Sequence, residues 1–234
     1  MKMSLLLMLS LLFSYAPAQL IFQELFEVEP PDDRGILANV NGWSSSWNSA
    51  DESLARLVET NLTWEAPFAA RGRAIQIVNS RSTAFRELPE ELNGQTVYFS
   101  FLFRFFQEEG GTGQLRFRSD GGHVIAVGFS DNQFHVQAQN ERTNWGRVRD
   151  RENYFVVGRL IISEDGRSVD IEMSAYTQRA AIPMDSPERM EGGVVHQGIP
   201  RRWNGVEFMA ASQSVVFDDL RIGRTWRDVT GTRR

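Results

Sequence analysis

Apolar and polar residues alternate with a period of two through most of the chain. Such alternation sends successive side chains to opposite faces of a half-buried strand. In Gln95–Phe106 the odd positions are Val97, Phe99, Phe101, Phe103 and Phe105, and the even ones are Tyr98, Ser100, Leu102, Arg104 and Phe106. This predicts a long central strand with one strongly apolar face and one mixed face. Gln133–Gln139 points Phe134, Val136 and Ala138 inward, with Gln133, His135, Gln137 and Gln139 outward. Arg167–Tyr176 separates Val169, Ile171, Met173 and Ala175 from Ser168, Asp170, Glu172 and Ser174. Comparable runs are Leu20–Glu27, Leu54–Trp64, Arg73–Val78, Ser82–Leu88, Gly113–Ser119, His123–Ser130, Asn153–Ser163, Asn204–Ala210 and Ser214–Gly223.

Turn chemistry separates these runs. Asn93-Gly94, Asp120-Gly121-Gly122 and Glu164-Asp165-Gly166 mark tight connections, and Ser130-Asp131-Asn132 closes a hairpin. No segment sustains a helical period; Asp185–Met190 offers at most one short turn. Pro30–Asp51 and Thr177–Arg202 read as irregular. The expectation is an all-β fold of about twelve strands, a two-sheet antiparallel sandwich or jelly roll. No linker divides it, so residues 19–234 form a single domain.

Composition adds a compartment. Lys2, the apolar stretch Leu5–Phe13 and the small-x-small site Ala16-Pro17-Ala18 read as a secretory signal peptide over residues 1–18. The apolar stretch falls well short of the ~20 residues that span a bilayer. The 234 residues contain no cysteine, which removes disulfides, cysteine metal sites and cysteine nucleophiles. Together these predict a bacterial protein, extracellular or periplasmic, with no membrane insertion after signal removal. Lys2 is the sole lysine, so every basic residue after the signal is arginine. The net charge of −5, without a basic block, argues against nucleic-acid binding. High genomic G+C content would explain the arginine excess equally well.

Motifs at both ends and in the middle carry a resemblance. Phe217-Asp218-Asp219-Leu220-Arg221-Ile222-Gly223-Arg224-Thr225-Trp226-Arg227-Asp228-Val229-Thr230 resembles the closing strand of bacterial laminin-G-like domains, within the concanavalin A-like lectin/glucanase superfamily. Glu24-Leu25-Phe26-Glu27 and Asn41-Gly42-Trp43-Ser44-Ser45-Ser46-Trp47 resemble their first strand and Gly-Trp-rich loop. Val97–Arg104 and Tyr154–Arg159 resemble their middle strands. The chain stops at Arg234 without a hydrophobic sorting tail, which implies release or non-covalent retention. The superfamily holds lectins, binding modules, hydrolases and lyases, so the site has to be argued by residue.

Four chemistries are open to these residues. Retaining hydrolysis needs two carboxyls ~5–5.5 Å apart; Asp170 and Glu172 share a strand face, but the third acid of the related Glu-x-Asp-x-x-Glu pattern is missing and a solvated face explains them equally. The resemblance also implies a lyase reading, in which arginine neutralises a uronate while His or Tyr moves a proton. Arg86, His135, Gln137 and Tyr176 are its candidates. Their His and Gln stand in reverse order, and the lysine-bearing tyrosine motif is absent. Binding without chemistry needs an aromatic and planar polar groups. Gln137, Asn144, Trp145, Arg147, Arg116 and Arg118 supply these for a polysaccharide or cell-surface glycan, an acidic one in particular. Trp145 covering a core edge is the competing explanation. Lastly, strand parity points Asp218 inward with Leu220 and Ile222, and a buried carboxylate needs a partner. The resemblance implies structural calcium at Asp218, with Glu27 and Gly72 as positional equivalents of the other ligands. A bulge turning Asp218 outward is the alternative. The leading expectation is a non-catalytic carbohydrate- or surface-binding protein, with a polysaccharide-active enzyme, a lyase before a hydrolase, as runner-up.

Overall fold

The structure is a computed structural model that describes residues 20–24, 48–49, 55–58, 62, 64, 74–78, 82–106, 110–198, 202–211 and 214–231. The expected signal peptide, Glu27, Gly72, Trp43 and Trp47 lie outside the described residues. In chain order the strands begin with β1 (Leu20–Glu24), β2 (Asn48–Ser49), β3 (Ala55–Val58), β4 (Ala74–Val78) and β5 (Ser82–Glu87). The middle of the chain gives β6 (Gln95–Phe106), β7 (Thr112–Ser119), β8 (Val124–Ser130), β9 (Gln133–Ala138) and β10 (Glu141–Trp145). The last are β11 (Asn153–Ile162), β12 (Ser168–Thr177), β13 (Gly192–Gln197), β14 (Trp203–Ala211) and β15 (Ser214–Gly223), followed by helix α1 (Trp226–Thr230).

All pairings are antiparallel and form two sheets. The eight-stranded sheet runs β13-β12-β11-β6-β15-β4-β3, with β1 also on β15; the seven-stranded sheet runs β10-β9-β8-β7-β14-β5-β2. This is the two-sheet sandwich that the alternation predicts. The five apolar odd positions of β6 are all buried between the sheets. Phe99 meets Phe117 of the opposite sheet at 5.2 Å, and Phe103 stacks on Phe129 at 5.1 Å. Each such ring removes enough apolar area from water to contribute ~1.5–3 kcal/mol. Gly158 sits opposite Phe99 in the β11–β6 register. A Cβ there would lie 2.3 Å from the Phe99 ring and 2.4 Å from the Glu172 carbonyl oxygen. Gly158→Val is therefore expected to lower stability by about 2–3 kcal/mol through overpacking. An unchanged urea midpoint would contradict that packing.

The mixed face of β6 is also covered. Leu102 joins Leu62, Trp64, Phe155, Val157, Val216, Trp226 and Val229 in a second apolar cluster outside the eight-stranded sheet. Helix α1 supplies two of these residues. Its start is a capping box: the Thr225 hydroxyl accepts from the Asp228 N–H, and Asp228 Oδ2 accepts from the Thr225 N–H at 2.8 Å. Gly231, at φ 64°, ends it. A helix of five residues is too short to register as a helical period.

Three strands fall where loops were expected. β10 occupies the Asn140–Arg147 loop, and β13 lies within the irregular Thr177–Arg202 stretch; β2 is only two residues long. Residues 185–190 form bends rather than a turn of helix. The β8–β9 hairpin has the expected two-residue turn, with Asp131 at φ 52° and Asn132 at φ 61°. The expected inward position of Asp218 is corrected. The register of β15 on β6 shifts between Asp218 and Arg221, and Asp219 takes φ 44°. This bulge adds one residue, so Leu220 and Ile222 stay inside while Asp218 turns to the outer cluster.

Candidate functional site

The outward face of the seven-stranded sheet carries the polar constellation. Directly opposite residues in an antiparallel sheet share a face. The register therefore aligns Arg142, Gln137, Ala126, Arg116 and Glu207 in one row across β10, β9, β8, β7 and β14. The adjacent row contains Asn144, His135, Gly128, Gln114 and Met209. Arg118 stands on the same face of β7. Strand β8 contributes only Ala126 and Gly128 to these rows. Its small residues let side chains of β7 and β9 meet across it.

These side chains hold one another. Glu207 is almost fully buried; its carboxylate takes Arg118 Nη1 at 2.9 Å and Arg116 Nη1 at 3.4 Å. Arg116 Nε donates to Gln114 Oε1 at 2.8 Å, and Gln114 Nε2 lies 2.8 Å from His135 Nε2. The first bond fixes the amide: its oxygen accepts, so its NH₂ donates to His135. His135 Nε2 therefore carries a lone pair, and the ring's hydrogen is on Nδ1 when neutral. The ring is completely buried, and its Nδ1 has no hydrogen-bond partner among the described residues. Burial, aided by Arg142 and Arg116, lowers its pKa to about 3. His135 was expected as one polar member of an outward row; it lies on that face but is completely buried.

Gly128 makes the cross-strand contact possible. It lies between Gln114 and His135 in the register, so no side chain separates them. At φ 150° an added Cβ would fall 2.2 Å from the Gly113 carbonyl oxygen. Gly128→Ala is expected to cost about 1–3 kcal/mol and to detach β8 from β7 locally. Faster amide exchange confined to those two strands would show it; unchanged protection would refute it.

The sequence candidates separate by face. His135, Gln137, Asn144, Arg116 and Arg118 come together on this sheet. Arg86 does not join them: it sits opposite Val206 on the inner face, 1% exposed, with its guanidinium 5.5 Å from the Phe22 ring. Tyr176 packs against the apolar cluster outside the other sheet. The four residues of the lyase reading are thus not brought together. The Asp170–Glu172 strand also belongs to the other sheet, and Glu172 accepts from Arg159 Nε at 2.8 Å. Trp145 points away from the polar rows. It stacks on Phe134 at 6.0 Å, donates Nε1–H to Glu191 at 3.0 Å and fills the space left by Gly192. It closes the core edge between β10 and β13. Arg147 lies beyond β10, in a cleft at one end of the sandwich.

Sequence reasoning missed Gln114 and Glu207. The signal for Glu207 was present: it is the only charged residue in the strand Trp203–Ala211. Asp218 Oδ2 accepts from the Leu62 N–H at 3.0 Å, and Oδ1 accepts from the Asp219 N–H at 2.8 Å. Burial raises its pKa to about 7. Asp219 is engaged by Arg221. No group of three or more His, Cys, Asp or Glu able to hold a metal occurs among the described residues.

Comparison with known proteins yields likeness of structure only. No protein-family model matches the chain, and no curated protein matches it in sequence. Among solved structures it is similar to an endo-beta-1,4-glucuronan lyase from the fungus Trichoderma reesei, at 12% identity, covering 83% of this chain and 96% of that one, with TM-score 0.47. It is also similar to peanut lectin, at 9% identity over 86% and 95% of the chains, with TM-score 0.45. A beta-1,3-glucanase from Mycobacterium marinum matches at 12% identity over 88% and 100%, with TM-score 0.45.

Proposed function

We propose that this is an exported bacterial jelly roll of the laminin-G-like kind that binds a carbohydrate or a glycan-bearing surface without catalysing a reaction. One observation carries the reading: the linked chain Arg118–Glu207–Arg116–Gln114–His135 on the outward face of the seven-stranded sheet. It locks planar polar groups in place beside Gln137 and Asn144, and such preorganisation lowers the cost of binding hydroxyl-rich ligands. The geometry supports binding over the lyase alternative. Arg86 and Tyr176, which that chemistry requires, lie on other faces, and His135 Nε2 is occupied by Gln114.

The test is retention on a panel of immobilised polysaccharides. The double variant Gln137→Ala/Asn144→Ala is expected to bind at least ~10-fold more weakly, at an unchanged melting temperature, since both side chains are partly or fully exposed. Equal retention would remove this face from the account. Structural calcium at Asp218, with Glu27 and Gly72, belongs to the same proposal, because each Asp218 oxygen keeps a lone pair after its backbone bond. The melting temperature is expected to fall in chelator; an unchanged value would reject calcium.

A further inference from the structure

A cleft of about 540 Å³ opens at one end of the sandwich, where β9, β11 and β12 meet the β10–β11 connection. That volume lies within the ~300–1,000 Å³ of small-molecule sites. Phe134, Tyr154 and Ala175 form its apolar floor, and Arg147, Arg149 and Arg179 form its rim.

Several arginines elsewhere in the protein are held by carboxylates, whereas three without such a partner converge on this cleft. Arg116 and Arg118 share Glu207, Arg159 holds Glu172, Arg221 holds Asp219 and Arg224 holds Glu90. Arg147, Arg149 and Arg179 form no ion pair with any carboxylate among the described residues. Glu152 is the one carboxylate lining the cleft, and it accepts the Tyr154 hydroxyl at 2.9 Å. The Arg149 N–H in turn donates to that hydroxyl at 2.9 Å, which fixes the Arg149 backbone over the floor. In a chain of net charge −5, three arginines against the single carboxylate of Glu152 leave an excess of positive charge around one cavity, which favours an anion.

We infer that this cleft binds the anionic group of a glycan, either a uronate carboxylate or a sulfate ester, on one or two sugar rings. Guanidinium groups pair with both anions through parallel N–H bonds. The apolar floor offers too little ring surface for base stacking, since Phe134 is 6% and Tyr154 2% exposed, which disfavours a nucleic acid. The site is separate from the sheet face and does not require it. The sequence places Arg147 with Trp145 and with Arg149 in one basic stretch; the fold adds Arg179 to Arg147 and Arg149.

The test uses the whole chain with three soluble probes: polygalacturonate, dextran sulfate and neutral dextran. The triple variant Arg147→Gln/Arg149→Gln/Arg179→Gln is expected to bind at least one charged probe ~10-fold or more weakly, with dextran unaffected. Added salt should weaken wild-type binding to that probe. The charged probe that responds identifies carboxylate or sulfate as the recognised group. If the triple variant fails to fold, Arg179→Glu, in an exposed turn, must weaken charged-probe binding alone. Undiminished binding by the variant, or no binding of either charged probe by wild type, would overturn the inference. Loss of binding in Gln137→Ala/Asn144→Ala with the cleft intact bears on the sheet face alone.

Discussion

Phe103→Ala is expected to lower the stability of the folded chain by about 3–5 kcal/mol. Phe103 is fully buried and stacks on Phe129 at 5.1 Å and on Tyr154 at 5.2 Å, with Phe134 edge-on at 6.3 Å. Truncation removes the ring's burial and leaves a void among rings that have few ways to collapse into it. Paired aromatic contacts add ~0.5–1.5 kcal/mol each beyond area. Against a total of about 5–15 kcal/mol, this leaves a marginal domain. The effect extends to the end cleft, because Tyr154 and Phe134 form its floor. Urea unfolding followed by tryptophan fluorescence measures it. A loss below about 1 kcal/mol would show that the rings do not interlock as described.

Acid is expected to weaken the protein through His135. Its pKa falls from 6.5 to about 3 on folding. Between those values the unfolded chain binds a proton that the folded chain refuses, so stability drops as pH falls. At ~1.4 kcal/mol per unit, the loss is on the order of 3 kcal/mol by pH 4. Asp218, when no cation is bound to it, works in the opposite sense. Its pKa rises from 3.8 to about 7 on folding, so its contribution is complete below 3.8 and disappears as pH climbs through 7. His135→Gln keeps an acceptor for Gln114 and leaves Asp218 unchanged. The difference in stability between wild type and His135→Gln therefore isolates the histidine. That difference should shift against wild type by several kcal/mol from pH 7 to pH 4. Parallel curves would mean that His135 is solvated and the network open.

The fold was legible because its strands are half-buried. Each alternation in β6, β9 and β12 reports a real inside and outside, and the Asp131-Asn132 turn reports its hairpin. β10 and β13 were not legible for the reverse reason. They are edge strands, in which Glu141, Arg142 and Asn144 or Val195 and Gln197 are exposed, so composition resembled loop. Of the site, the outward row of β9 and the pair Arg116/Arg118 could be read from parity. What parity cannot give is depth or register. It placed His135 on the correct face without revealing that Gln114 reaches it across Gly128. It grouped Arg86 and Tyr176 with His135 by chemical type, whereas the register sends the three to different faces. Asp218 shows the same limit, since one bulge at Asp219 reverses the parity of every residue before it relative to those after.

The outward face of the seven-stranded sheet is proposed to bind a glycan without altering it. The most direct measurement incubates the full chain with a polysaccharide panel, scoring retention together with new reducing or unsaturated ends. The account predicts retention of at least one polysaccharide, lost in Gln137→Ala/Asn144→Ala, with no new ends of either kind. New unsaturated or reducing ends that persist with purified protein and vanish in His135→Gln would contradict it and make the protein an enzyme.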